Sequence, residues 1–185
     1  IRDKLERRLE LENCYPKSPI KIFDSSWFPS IEVNNYEDIE KVVVKIRNKW
    51  KLGLAPIHNF IDVLENNGIR VIEVETDENS FDALFFLVSG KPVVAISNKW
   101  SGDRQRFSLA HELGHFFCSL SPLPDNLKEE KICNQFAGAF LFPKQAVYQK
   151  FGEHRTSIEL RELLLSKQEY VLSMYAILYR LFQLK

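Results

Sequence analysis

The sequence has no surplus of either charge: Lys plus Arg and Asp plus Glu both number 25 among 185 residues. Without a net field to gather phosphates, direct nucleic-acid or anionic-membrane binding by this chain is not expected. It also lacks any apolar run near the roughly 20 residues that a bilayer-spanning helix requires. The charged opening IRDKLERRLELEN is unlike a signal peptide. Cysteine is scarce and odd in number, with only Cys14, Cys118 and Cys133. That excludes a disulfide-stapled secreted fold and points to a reducing, cytoplasmic compartment. There is no internal repeat and no low-complexity tract.

What is present is enough apolar content, 45% of the chain, for one domain with a proper core and at most an appendage. The chain opens on Ile1 rather than Met, from which we expect it to be a piece of a longer protein. Residues 1 to 13 read as a solvated helix with a narrow apolar stripe through Leu5 and Leu9. Cys14 to Asn35 carries Pro16, Pro19 and Pro29 and reads as a connection, docked through Trp27 and Phe28. Ile39, Val42, Val43, Ile46 and Trp50 then recur at helical spacing over Tyr36–Lys51, with Gly53 as the stop. A second helix is expected from Pro56 to the Asn66-Asn67-Gly68 terminator. Three β-like runs follow, Ile69–Val74, Phe81–Val88 and Pro92–Ser97, the last two joined by a hairpin turn at Ser89-Gly90-Lys91. Beyond Gly102 helices return, over Asp103–Cys118, Lys128–Leu141, Lys144–Phe151 and twice more between Thr156 and Leu184, divided by Pro122, Pro124, Pro143 and Gly152. The fold class is α+β: helices, a small mixed sheet, then further helices.

The chemistry is concentrated in Arg106-Phe107-Ser108-Leu109-Ala110-His111-Glu112-Leu113-Gly114-His115, an H-E-x-x-H motif inside a helical segment. Residues four apart on a helix lie about 40° apart around the axis and about 6 Å apart along it, so His111 and His115 can converge on one ion. Glu112, to the side of that pair, is placed to act as general base on an attacking water. An accidental His pair on a core helix gives no reason for an acid between them, since unpaired acids are almost never buried. A catalytic zinc takes a third protein ligand. In the downstream helix Glu130 shares a face with Asn134, Ala137 and Leu141, whereas Glu129 shares one with Cys133, Phe136 and Phe140. Spacing slightly prefers Glu130 and leaves the choice open.

These segments, with Phe136-Ala137 and Leu141-Phe142-Pro143, resemble the ImmA/IrrE family of metallopeptidases. Leu52-Gly53-Leu54-Ala55-Pro56-Ile57 and the stretch Leu64 to Val71 resemble its upstream part, and Ser173-Met174-Tyr175-Ala176 with Tyr179-Arg180 its downstream part. The resemblance implies a zincin-like fold with the H-E-x-x-H helix at the active site. It also implies Zn2+, with Mn2+ as an alternative, held by His111, His115 and a third ligand that matches Glu130. Its implied substrate is a helix-turn-helix repressor, cleaved to relieve repression in a mobile-element or stress response. Residues 36–185 would form the metallopeptidase domain, and residues 1–35 a helix and linker left from a connection to a helix-turn-helix domain ahead of it. Cys133 departs from the family, standing where many relatives have Ala. The alternative reading is a non-catalytic metal-binding module that regulates transcription through protein contacts.

Other side chains carry weaker expectations. Cys118 and Cys133 are read as buried small hydrophobes rather than ligands, and His58 as an ordinary residue. An oxyanion-stabilising donor is sought among His154, Tyr148, Tyr170 and Tyr175, between which the sequence does not choose. Arg104 and Arg106 are read as ion-pair formers with Glu129, Glu130 or Asp125. The run Pro92–Ser97 is read as an edge strand able to hold an extended substrate by main-chain hydrogen bonds.

Overall fold

A computed structural model describes residues 2–27, 33–76, 81–118 and 128–184. The expectations placed on Phe28, Pro29, Pro122, Pro124 and Asp125 lie outside the described residues. Among those described are eight α-helices and three strands: α1 (Arg2–Asn13), α2 (Tyr36–Lys49), α3 (Phe60–Asn66), β1 (Arg70–Val74), β2 (Ala83–Val88), β3 (Lys91–Ser97), α4 (Gly102–Phe117), α5 (Glu129–Leu141), α6 (Lys144–Phe151), α7 (Leu160–Tyr170) and α8 (Met174–Gln183). The α+β class stands. The second helix starts at Phe60, later than Pro56, because Asn59 supplies the N-cap and accepts from the Asp62 N–H.

The sheet has the order β1-β3-β2, with β1 parallel and β2 antiparallel to β3. The β2–β3 turn is Ser89-Gly90, both left-handed at φ 49° and 75°, as a two-residue hairpin turn requires. Lys91 already belongs to the strand. β3 is therefore the central strand, which corrects the expectation that Pro92–Ser97 forms an edge. Its run Pro92-Val93-Val94-Ala95-Ile96 is buried on both faces, the pattern of a mid-sheet strand rather than a half-exposed one.

The two edges are treated differently. On one side α1 closes β1: Arg8 donates to the Val71 carbonyl at 2.7 Å and Lys4 to that of Glu73 at 3.2 Å. A buried Arg70–Glu12 pair at 2.7 Å joins the same two elements, and Leu5 packs with Ile72 and Val93 on the back of the sheet. The apolar stripe of α1 thus finds its partner in the sheet. No described strand pairs with the outer edge of β2, and that edge faces α4.

α4 presents Leu109, Ala110, Leu113, Gly114 and Phe117 to the core, leaving His111, Glu112 and His115 on its half-buried side. α5 packs against it and against α2, whose N-terminus is fixed by reciprocal Asn35 and Asp38 capping bonds. The far end of α5 is held by two buried arginines. Arg47 donates to the Phe140, Gly53 and Ala55 carbonyls at 2.6, 2.9 and 2.8 Å, and Arg180 donates to that of Phe142 while pairing with Glu40. Cations at a helix C-terminus meet carbonyls that have no intrahelical donor and the negative end of its dipole. With its C-terminus pinned, α5 delivers its first turn to the His pair.

Candidate metal centre

The rings of His111 and His115 meet at their Nε2 atoms, 3.2 Å apart. The other nitrogen of each ring is occupied. His111 Nδ1 bonds Asn134 Oδ1 at 3.0 Å, and His115 Nδ1 bonds Glu129 Oε1 at 2.9 Å. Both partners are acceptors, so each Nδ1 carries the proton and, in a neutral imidazole, each Nε2 is left with a bare lone pair. Two lone pairs aimed at each other at contact distance are unfavourable unless a cation lies between them.

Glu130 completes the approach. Its Oε2 lies 3.3 Å from His111 Nε2 and its Oε1 lies 3.6 Å from His115 Nε2. A tetrahedral ion with ligands at about 2.0–2.1 Å sets neighbouring donors about 3.3–3.4 Å apart. The Nε2–Nε2 separation of 3.2 Å is close to that edge length, and the Glu130 carboxylate spans the pair, with Oε2 at 3.3 Å from one nitrogen and Oε1 at 3.6 Å from the other. The residues therefore fit a metal by chemistry and by spacing. The acids Glu112, Glu129 and Glu130 beside one His pair would repel one another and gain from a divalent cation.

Cys133 offers an alternative donor, since its sulfur and ligand nitrogens of both histidines lie within 4.8 Å of one another. The thiol is fully buried against α4, and burial pushes it well above the usual thiol range. Cys118 is buried as well, its thiol pushed up to about 12 for the same reason. Both are buried, as the reading of them as small core residues expects, and Cys133 lies beside the His pair as well.

Glu112 reaches the sheet, where its Oε2 accepts from the Phe85 N–H at 2.8 Å. The Asp82 carbonyl accepts from the Ser97 N–H, so even-numbered residues of this strand face β3 and the main-chain groups of Ala83, Phe85 and Leu87 point outward. The H-E-x-x-H acid therefore sits against the open edge of β2. Phe85 is held there by stacking on Phe116 at 4.5 Å.

Spacing placed Glu129 on the face of Cys133 and Glu130 on that of Asn134 and left the choice open; both acids reach the site. They occupy the first turn of α5, which packs alongside α4 at the histidines. The legible signal was a pair of acids at a helix start, where the dipole favours them. Asn134, expected one turn on from Glu130, takes the role of His111's partner.

The arginines correct an expectation. Arg104 pairs with Asp82 at 2.8 Å and lies 3.5 Å over the Trp100 ring, while Arg106 donates to the Ile57 and His58 carbonyls. Neither joins Glu129 or Glu130, because both reach sideways to the sheet and the α3 approach rather than along α4. His58 is exposed and serves through its carbonyl. Of the four oxyanion candidates, Tyr170 is buried and stacked 3.9 Å from Phe142, Tyr148 bonds the Leu184 carbonyl, and His154 lies in an exposed bend. Tyr175 lines a cleft together with Asn134.

A family model described as the IrrE N-terminal-like domain, Peptidase M78, matches residues 64–182. The chain belongs to this IrrE-like peptidase family. The matched span holds all three strands, α4 to α7 and all but the last residue of α8, and with them every residue of the candidate metal centre described above. Among solved structures, a Mycobacterium tuberculosis transcriptional regulator is similar, with a TM-score of 0.53 and 14% identity over 78% of this chain and 46% of that one. At that identity the likeness concerns the fold alone, and this IrrE-like chain spans less than half of that protein's length. No curated protein matches the sequence. No helix among the described residues is long and apolar enough to cross a membrane.

Proposed function

We propose that this IrrE-like domain is a metal-dependent endopeptidase in which His111, His115 and Glu130 hold Zn2+, or Mn2+ in its place, and Glu112 is the general base. The observation that carries the reading is the convergence of the two Nε2 atoms, 3.2 Å apart, with the Glu130 carboxylate spanning both at 3.3 and 3.6 Å. Glu130 is preferred to Cys133 because its carboxylate reaches both Nε2 atoms from the first turn of α5, whereas Cys133 is fully buried where α5 packs on Gly114. Asn134 and Glu129 fix the ring orientations, and such outer partners commonly matter to affinity almost as much as the ligands.

A divalent cation supplies Lewis acidity to the carbonyl and the attacking water when bound. The chain's own groups supply the rest. The outer edge of β2 holds an extended peptide through the outward groups of Ala83 and Leu87 and the Phe85 carbonyl. Glu112 takes a proton from the attacking water and returns it to the leaving nitrogen. The Phe85 N–H now on Glu112 keeps that carboxylate at the strand edge, within reach of a peptide laid along it. Tyr175 is the candidate to donate to the developing oxyanion, since of the four candidates it is the one that lines the cleft with Asn134.

The substrate is proposed to be a helix-turn-helix transcriptional repressor. Family membership supports a peptidase, and the fold shared with a transcriptional regulator is in keeping with a regulatory setting. The test is incubation of zinc-loaded protein with the repressor encoded beside it, followed by mass spectrometry. Cleavage by the wild type and none by Glu112→Gln, with zinc content equal in both, is the expected result. Equal cleavage rates in the two proteins would rule out Glu112 as the base.

A further inference from the structure

A cleft of about 550 Å³ opens between α4, α5 and α8, within the range of roughly 300–1,000 Å³ typical of ligand pockets. Two of its walls belong to the metal centre's own elements. Asn134 holds His111, and Phe107 lies one turn before His111 on α4. The remaining lining sets an apolar wall of Gly138, Ala176 and the stacked rings of Tyr175 and Tyr179, with Tyr175 78% exposed, against polar Ser101, Asp103, Arg104, Ser173 and Gln183.

The glycines of α4 and α5 separate packing from vacancy. A Cβ on Gly114 would lie 2.9 Å from the Cys133 Cα, so close helix approach demands that glycine. A Cβ on Gly138 would meet only Arg180 Cδ at 3.5 Å and Gln183 Oε1 at 3.7 Å, ordinary contacts. Helix-interior glycine costs roughly 0.5–1 kcal/mol relative to alanine, and packing does not explain that cost at Gly138. What it leaves is room on the cleft wall.

The direction of β2 says which substrate residue would enter. Asp82, just before β2, pairs with Arg104 near the start of α4, and Phe85 meets Glu112 and Phe116 further along it. Strand and helix therefore run the same way. A peptide paired antiparallel to β2, the more stable arrangement, runs back towards Arg104. Arg104 and Phe107 line the cleft, so the residue after the scissile bond arrives there.

We propose that this cleft is the pocket for the side chain following the cleaved bond and that it selects a bulky apolar or aromatic residue, with Gly138 and Ala176 setting its depth. The position assigned rests on the peptidase reading, whereas the cleft's affinity for such a side chain does not. Phenylalaninamide and alaninamide are titrated into the zinc-loaded chain by NMR. The expected result is perturbation centred on Gly138 and Ala176, with phenylalaninamide about tenfold tighter than alaninamide and that advantage lost in Ala176→Leu. Gly138→Ala, which fits without a clash, is expected to fold normally and weaken the same binding. Perturbation elsewhere, or undiminished binding by both variants, overturns the pocket. A digest of proteome-derived peptides separates the two readings. Cleavage without preference after the cut bond would end the pocket and leave the peptidase, while binding as expected with no cleavage by the wild type would leave the pocket and end the peptidase.

Discussion

Replacing Gly114 by alanine should uncouple the metal centre from the stability of the fold. The added Cβ would stand 2.9 Å from Cys133 Cα, 3.1 Å from its Cβ and 3.3 Å from its sulfur, and the nearest of these is backbone. Relief to ordinary contact moves α5 away from α4 by roughly 0.5–1 Å, and overpacking of that kind costs about 1–3 kcal/mol. The gain in helix propensity from Gly to Ala, about 1 kcal/mol, offsets part of it. The net loss by urea unfolding is therefore small, roughly 0–2 kcal/mol. The metal centre has no such offset, because His111 and His115 ride on α4 while Glu129, Glu130 and Asn134 ride on α5. Constellations of this kind tolerate about 0.5 Å of misplacement. Zinc affinity, read by competition with a chromophoric chelator, should fall by tenfold or more, on the order of 1.4 kcal/mol or above. Gly138→Ala is the control, expected to gain roughly 0.5–1 kcal/mol in stability and to keep zinc affinity. If Gly114→Ala binds zinc as tightly as the wild type, the two-helix construction of the site is refuted.

Glu129→Ala and Asn134→Ala should each lower zinc affinity by about 10–100-fold with the circular dichroism spectrum unchanged, since they orient rings and do not hold the fold. Arg47→Met leaves the buried Phe140 carbonyl and the more exposed Gly53 and Ala55 carbonyls without their donor, and at about 1–3 kcal/mol for a buried acceptor it should cost at least ~1 kcal/mol by denaturant unfolding. Asp38 provides a pH test. The Lys41 ammonium, with the Asn34 and Asn35 amides, holds its carboxyl below the usual range, so its folded pKa lies under its unfolded one. Its contribution is present above the unfolded value of about 3.9 and is lost as pH falls through the folded value. Asp38→Asn should be less stable than the wild type near neutrality, and the two unfolding curves should converge in acid.

Much of the site was legible in the sequence because its parts are local. His111, Glu112 and His115 lie within one helical turn, and a 3.6-residue period places them on one side of α4 with Leu109, Leu113 and Phe117 on the other. Glu130 and Asn134 were within reach because they too are four apart on one helix. What local pattern did not reveal is relative placement. The order β1-β3-β2 depends on a long-range pairing, so the edge role went to β3, although its unbroken apolar run already favoured the centre. Arg104 turned to Asp82 and Arg106 to the Ile57 and His58 carbonyls, partners 22, 49 and 48 residues away. Spacing left Glu129 and Glu130 both open, and both reach the His pair from the first turn of α5.

X-ray absorption on the zinc-loaded chain tests the ligand set most directly. Two imidazole nitrogens and carboxylate oxygen at about 2.0–2.2 Å, with no sulfur, is the expected first shell. A sulfur at about 2.3 Å would put Cys133 in the place given to Glu130, and a protein that retains no zinc would contradict the metal centre altogether.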